Sequence, residues 1–208
     1  MYLQAGWWRP GRLSAMWSVL VALGVVFLAE LGDKSQLVAL TLATRYSVRT
    51  VMIALIAATI ALHGLAVTVG VGLARAVPHR VLGIASGAVF IAIGLWELWK
   101  LRLPDDDAAE LEAVEESVAS HRSVVVGIAL TFALSELGDK TQLAAAALAA
   151  RNGALLTFVG AVAGMLVADG LAIALGATIQ RRFGLRTVRI IAVVGFLLSG
   201  ALIVAGSV

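Results

Sequence analysis

The chain has no cysteine, which removes disulfide staples, thiolate metal sites and thiol redox chemistry together. It is also poor in charge: Asp, Glu, Lys and Arg make up 14% of its 208 residues, against roughly 25% in soluble globular domains. Hydrophobic residues reach 61%, where roughly 45 to 50% is ordinary, and a water-soluble core of this size has no use for so much apolar surface. There is no HExxH helix and no serine–histidine arrangement, so the sequence offers no signature of a metalloprotease or a serine hydrolase. The formal charge of +3 does not point to nucleic acid, because the basic residues fall in short clusters between apolar runs rather than along one polar face.

Six apolar runs fill most of the chain: Leu13 to Ala43, Thr50 to Ala74, Val81 to Trp99, Ser123 to Ala150, Ala154 to Ile179 and Val188 to Ala205. Each is long enough to cross hydrocarbon as a helix, which takes about 20 residues. The expected fold is therefore all-α: a polytopic membrane protein whose six transmembrane helices form two inverted three-helix repeats. Residues 1–12 make an N-terminal extracytoplasmic segment, 13–99 the first repeat, 100–122 an acidic linker and 123–208 the second repeat. The first run is too long for a signal peptide and lacks a clear small-residue cleavage site, so it is expected to be retained.

Orientation follows from the arginines and lysines outside the motifs. One side carries Arg9, Arg12, Arg75, Arg80 and Arg151, the other Arg45, Arg49, Lys100, Arg102, Arg122, Arg181, Arg182, Arg186 and Arg189. The richer side belongs in the cytoplasm under the positive-inside rule, which puts both termini outside and the central loop inside. That loop, Leu103 to Ser117, is acidic at seven positions and reads as a solvated linker, with Leu111, Val114 and Val118 at the spacing of a short surface helix.

Charge returns where it is most expensive. The phrase ELGDKS begins at Glu30 and ELGDKT at Glu136, 106 residues later, and the same shift maps Asp33 to Asp139, Lys34 to Lys140, Gln36 to Gln142 and Arg45 to Arg151. The chain is an internal duplication. An ionised residue at bilayer depth costs about 2.5 to 3.5 kcal/mol on insertion scales, so six such charges call for a function. In continuous helices Glu30, Asp33 and Lys34 would line one stripe, and Glu136, Asp139 and Lys140 its counterpart. Inverted repeats bring equivalent segments together near the bilayer midplane, where four carboxylates would trap a cation. Manganese and calcium favour oxygen, and Gln36, Gln142, Ser35 and Thr141 add neutral oxygens beside the acids.

The remaining polar residues take supporting roles. Gly32 and Gly138 sit between the acids and are candidate helix breaks. Each lysine can pair with a neighbouring acid until a metal competes for it. Two acids held close disfavour double ionisation, so protons can replace a bound divalent ion, which is the minimal machinery of a cation/proton antiporter. The 106-residue shift also carries His63 onto Asp169, both deep in the second span of their repeat, and both are proton-coupling candidates. Glu97, beside Trp96, Trp99 and Lys100 at a span end, reads as an interfacial anchor.

At these residues the chain resembles a family of small membrane cation exchangers of the Golgi, of chloroplast membranes and of bacteria, marked by two copies of Glu-x-Gly-Asp-Lys-Ser/Thr. Both copies match at every specified position, and the resemblance extends over all six spans. It implies exchange of manganese or calcium for protons, with Glu30, Asp33, Glu136 and Asp139 as cation ligands and Lys34, Ser35, Lys140 and Thr141 as motif partners. The roles of Gln36, Gln142, His63 and Asp169 rest on the residues themselves. The expectation is a secondary transporter of the bacterial inner membrane that exports a divalent metal, with no permanently bound cofactor and with homo-oligomerisation left open. Two rivals stand beside it: export of a cationic amino acid or other small organic cation, and an intramembrane hydrolase using paired carboxylates as acid and base.

Overall fold

The computed structural model describes residues 12–31, 33–102, 116–119, 121–182 and 185–207. The N-terminal segment, Gly32 and most of the acidic linker, including Leu111 and Val114, lie outside the described residues. Helices run in the order α1 (Arg12–Glu30), α2 (Lys34–Arg45), α3 (Val48–Ala76), α4 (His79–Lys100), α5 (Val124–Glu136), α6 (Lys140–Asn152), α7 (Ala154–Arg182) and α8 (Leu185–Ala205). Among the described residues there is no strand.

Local sequence explains most of the boundaries. Ser47 caps α3, its hydroxyl accepting from the Thr50 amide at 3.1 Å, as an N-cap serine should. Pro78 stands immediately before α4, where its missing N–H would have no helical partner. Gly153 ends α6 with φ 93° and ψ 153°, a conformation closed to side-chain-bearing residues.

The two motif-bearing runs are not single continuous helices. Each is interrupted at the motif: α1 stops at Glu30 and α2 starts at Lys34, while α5 stops at Glu136 and α6 starts at Lys140. Among the described residues, three helical segments, Val48–Ala76, Arg80–Lys100 and Ala154–Ala174, are long and apolar enough on their own to cross a membrane. Ala15–Glu30, Val124–Glu136 and Arg189–Ala205 are shorter apolar helices.

The two halves interleave. α1 lies along α7, α4 along α8, and α3 packs on α5, α6 and α7. At the α3–α6 crossing, a side-chain carbon on Gly70 would sit 2.9 Å from the Ala146 Cα, so only glycine allows the approach. Val26, Leu42, Leu55, Ile128, Phe132 and Met165 form the main apolar core, and Phe90 meets Phe196 between α4 and α8 with ring centroids 5.8 Å apart.

The surface is the reverse of a soluble protein's. Leu134 and Leu202 are each 73% exposed, whereas Glu30, His63 and Asp169 are fully buried. Apolar side chains outside and ionisable ones inside suit a chain solvated by lipid, where charged residues face the protein interior.

Candidate functional site

The two interruptions are built alike. In the first, the Asp33 amide donates to the Glu30 carbonyl at 3.0 Å and the Gln36 amide to the Asp33 carbonyl at 3.2 Å. In the second, the Asp139 amide donates to the Glu136 carbonyl at 3.0 Å and the Gln142 amide to the Asp139 carbonyl at 3.1 Å. Each motif therefore places a glutamate on the last turn of one helix and an aspartate just before the next. Gly138 makes the second turn affordable with φ 82°, a left-handed conformation that residues with a β-carbon avoid. Gln142 braces the same turn, its Oε1 accepting from the Gly138 amide at 3.1 Å and its Nε2 donating to the Glu136 carbonyl.

The turns meet in the interior. One carboxylate oxygen from each of Glu30, Asp33 and Asp139 lies within 4.8 Å of the other two. Oxygens on opposite sides of an ion bound at about 2.3 to 2.6 Å are separated by about twice that length, so this trio fits the spread of a divalent ligand set. Glu136 is not one of the three. It is buried, and its carboxylate lies within electrostatic reach of Asp33, Asp139, Lys140 and Asp169. The Glu30 Oε1, Glu136 Oε2 and Asp139 Oδ2 atoms are buried without a hydrogen-bonding partner, while Glu30 Oε2 accepts from Ser35 at 3.0 Å.

The lysine of the second motif does not pair with the glutamate four residues before it. Lys140 crosses to the first motif instead: its ammonium, 7% exposed, donates to Asp33 Oδ2. The same nitrogen lies 3.4 Å from Glu97 Oε1 on α4. Glu97 is therefore not the interfacial anchor expected of it. It is 8% exposed, whereas its neighbours Trp96 and Trp99 are 56% and 51% exposed. The signal for this was helical phase: Phe90, Ile93, Gly94 and Glu97 fall at spacings of three and four on the buried stripe of α4, and the tryptophans fall off it.

The other predicted residues are placed as follows. Gln36 reaches α7, donating from Nε2 to the Ala168 carbonyl at 3.4 Å, one residue before Asp169. Both Asp169 oxygens are buried without a hydrogen-bonding partner. His63 is also buried, with Nδ1 3.2 Å from the Thr59 carbonyl and Nε2 unpartnered. Thr141 is fully buried with its hydroxyl unpartnered, and the Lys34 side chain lies outside the described residues.

Comparison with known proteins converges on one group. The profile of a family described as "Divalent cation/proton antiporter GDT1" matches residues 18–105 and 124–208, one segment on each side of the acidic linker. A GDT1-like protein of Synechocystis is 32% identical over 180 residues, covering 80% of this chain and 86% of its own length. A Vibrio cholerae protein named "Putative manganese exporter" is 36% identical over 152 residues, covering 72% of this chain and 71% of its own. GDT1-like protein 3 of rice is 29% identical over 210 residues, covering 90% of this chain and 72% of its own. No solved structure matches.

Proposed function

The chain belongs to the GDT1 family of divalent cation/proton antiporters, and from that premise we propose that it exports manganese or calcium from the cytoplasm through one site shared by its two motifs. It is a membrane transporter and not an enzyme. The observation that carries the proposal is the trio of carboxylates from Glu30, Asp33 and Asp139, drawn from both motifs to within 4.8 Å of one another, a spread that suits one divalent ion. With all three ionised, the trio and the Lys140 ammonium together carry two negative charges, which one divalent cation or two protons can neutralise. Manganese is the first candidate because of the name borne by the Vibrio relative, and calcium shares its preference for oxygen.

In this reading Glu136 completes the ligand set when the repeats shift. Gln36, Ser35 and Thr141 border the site with neutral oxygens, and Gln142 holds the second turn in shape. Asp169 and His63 carry the returning protons, and no cofactor stays bound. The six-span arrangement of two inverted triplets belongs to the same proposal, with α1 and α2 sharing one broken span and α5 and α6 another. It is supported by exchanged packing, since α1 lies on α7 and, in the other half, α5 lies on α3. The linker at 100–122 would lie in the cytoplasm and both termini outside, in a bacterial inner membrane. Gly138, at the second turn, and Gly32, between the acids of the first motif in sequence, are the pivots for alternating access.

The test is reconstitution into proteoliposomes with an imposed pH gradient, recording manganese and calcium uptake. The gradient should drive at least one of the ions in the native protein, and Asp33→Asn should reduce uptake to the level of empty vesicles. Undiminished flux in the variant, or transport of lysine in place of metal, would contradict the metal reading.

A further inference from the structure

We infer that Glu97 is the alternative counter-ion of Lys140: when a divalent cation takes Asp33, the ammonium passes from Asp33 to Glu97 and stays paired. The inference rests on the metal reading of the Glu30, Asp33 and Asp139 trio and adds a residue outside both motifs. Lys140 sits between two acids of the first repeat. One is Asp33, a member of the trio, and the other is Glu97, which is remote from both motifs in sequence and reaches the lysine from α4 at 3.4 Å.

A resident ammonium beside a cation site works against the cargo unless it has somewhere to go. Driven off Asp33 with no second partner, Lys140 would be a buried, unpaired charge, and removing one partner of a buried pair is strongly destabilising. The cargo would then have to overcome that cost as it bound. Glu97 removes it. The carboxylate is buried on the Phe90, Ile93 and Gly94 face of α4, and a small movement of the Lys140 tip converts a 3.4 Å approach into a full charge-assisted bond.

Glu97 is also kept from being an unpaired acid beforehand. Lys100, three residues on, lies 3.9 Å from its Oε1 with a side chain 42% exposed, close enough to share the charge and open enough to solvent to give it up at little cost. The same ammonium lies 6.0 Å from the centroid of the Trp96 ring, a contact it can keep when Glu97 turns to Lys140. The 106-residue shift carries Glu97 onto Ile203, so this acid has no equivalent in the second repeat. Glu97 touches no cargo in this scheme and is a positioning residue that acts through Lys140.

The experiment is manganese binding to the purified full-length protein, followed by the electron paramagnetic resonance signal of free Mn2+, with monodispersity checked for each variant. Glu97→Gln should weaken binding about tenfold, the size of one lost charge-assisted hydrogen bond. Glu97→Asp should remain within about threefold of the native protein, since it keeps the charge. In a Lys140→Gln background, where no ammonium needs a second partner, Glu97→Gln should cost nothing further. Equal weakening in both backgrounds would show that Glu97 acts on the metal or the fold directly and would overturn the inference, as would native affinity in Glu97→Gln. A native protein that binds neither manganese nor calcium removes the metal reading itself, and this inference with it.

Discussion

Asp169 concentrates the residue-scale question. It is fully buried on α7, neither oxygen has a hydrogen-bonding partner, and it lies within electrostatic reach of Glu136. A carboxyl group this deeply buried beside the proposed cation site suits a proton carrier. Asp169→Asn should slow metal/proton exchange in proteoliposomes by about a hundredfold, the low end of what one positioned proton-transfer group contributes. Manganese binding should stay within about threefold of the native value, because the variant leaves every charge of the trio in place. Unimpaired exchange would remove Asp169 from the proton route. Asp169, like the four motif acids, was legible in the sequence because an acid inside an apolar run has few structural reasons to be there. Glu97 was not, because tryptophans and a lysine around it mimic the composition of a membrane interface. The pairing of Lys140 with Asp33 was illegible for another reason. Residues 107 apart meet only through the fold, while the sequence offers each lysine only a neighbouring acid.

At the scale of elements, the breaks at the motifs decide what the carboxylates can do. In an unbroken helix, Glu136 and Asp139 would share a face, fixed by the helical period at one separation. The turn at 137–139 frees Asp139 to stand before α6, where it faces the first motif. Hydropathy cannot reveal such a break, since the apolar run continues through it, although glycine between the acids marked the place. Gly138 holds φ 82°, and a β-carbon there would meet no atom within 4 Å, so the cost of Gly138→Ala is confined to the backbone. That substitution should destabilise the protein by about 1 to 2 kcal/mol. The thermal midpoint in detergent should fall accordingly, and an unchanged midpoint would mean that the turn relaxes without loss. The long helices α3 and α7 were legible nearly to their ends, because their apolar runs carry no interruption and their boundaries fall at Ser47 and Gly153.

For the whole molecule, interleaving gives the two motifs a common interior. With α1 lying on α7 and α3 packed on α5 and α6, neither half closes a site without the other. The duplication in sequence implied this meeting, and the trio of Glu30, Asp33 and Asp139 has contributors from both motifs. The equivalence is incomplete, because Glu136 stands beside the trio rather than in it, and a 106-residue repeat gives no warning of such asymmetry. The account rests on one set of carboxylates that holds either metal or protons. Ligands must be deprotonated to bind, so metal affinity should weaken as pH falls and binding should expel protons. The most direct measurement is calorimetric titration of the purified protein with manganese in two buffers of different ionisation enthalpy, which counts protons released per ion bound. The account predicts net release in the native protein and less in Asp139→Asn; metal binding with no proton released at any pH from mildly acidic to neutral would contradict it.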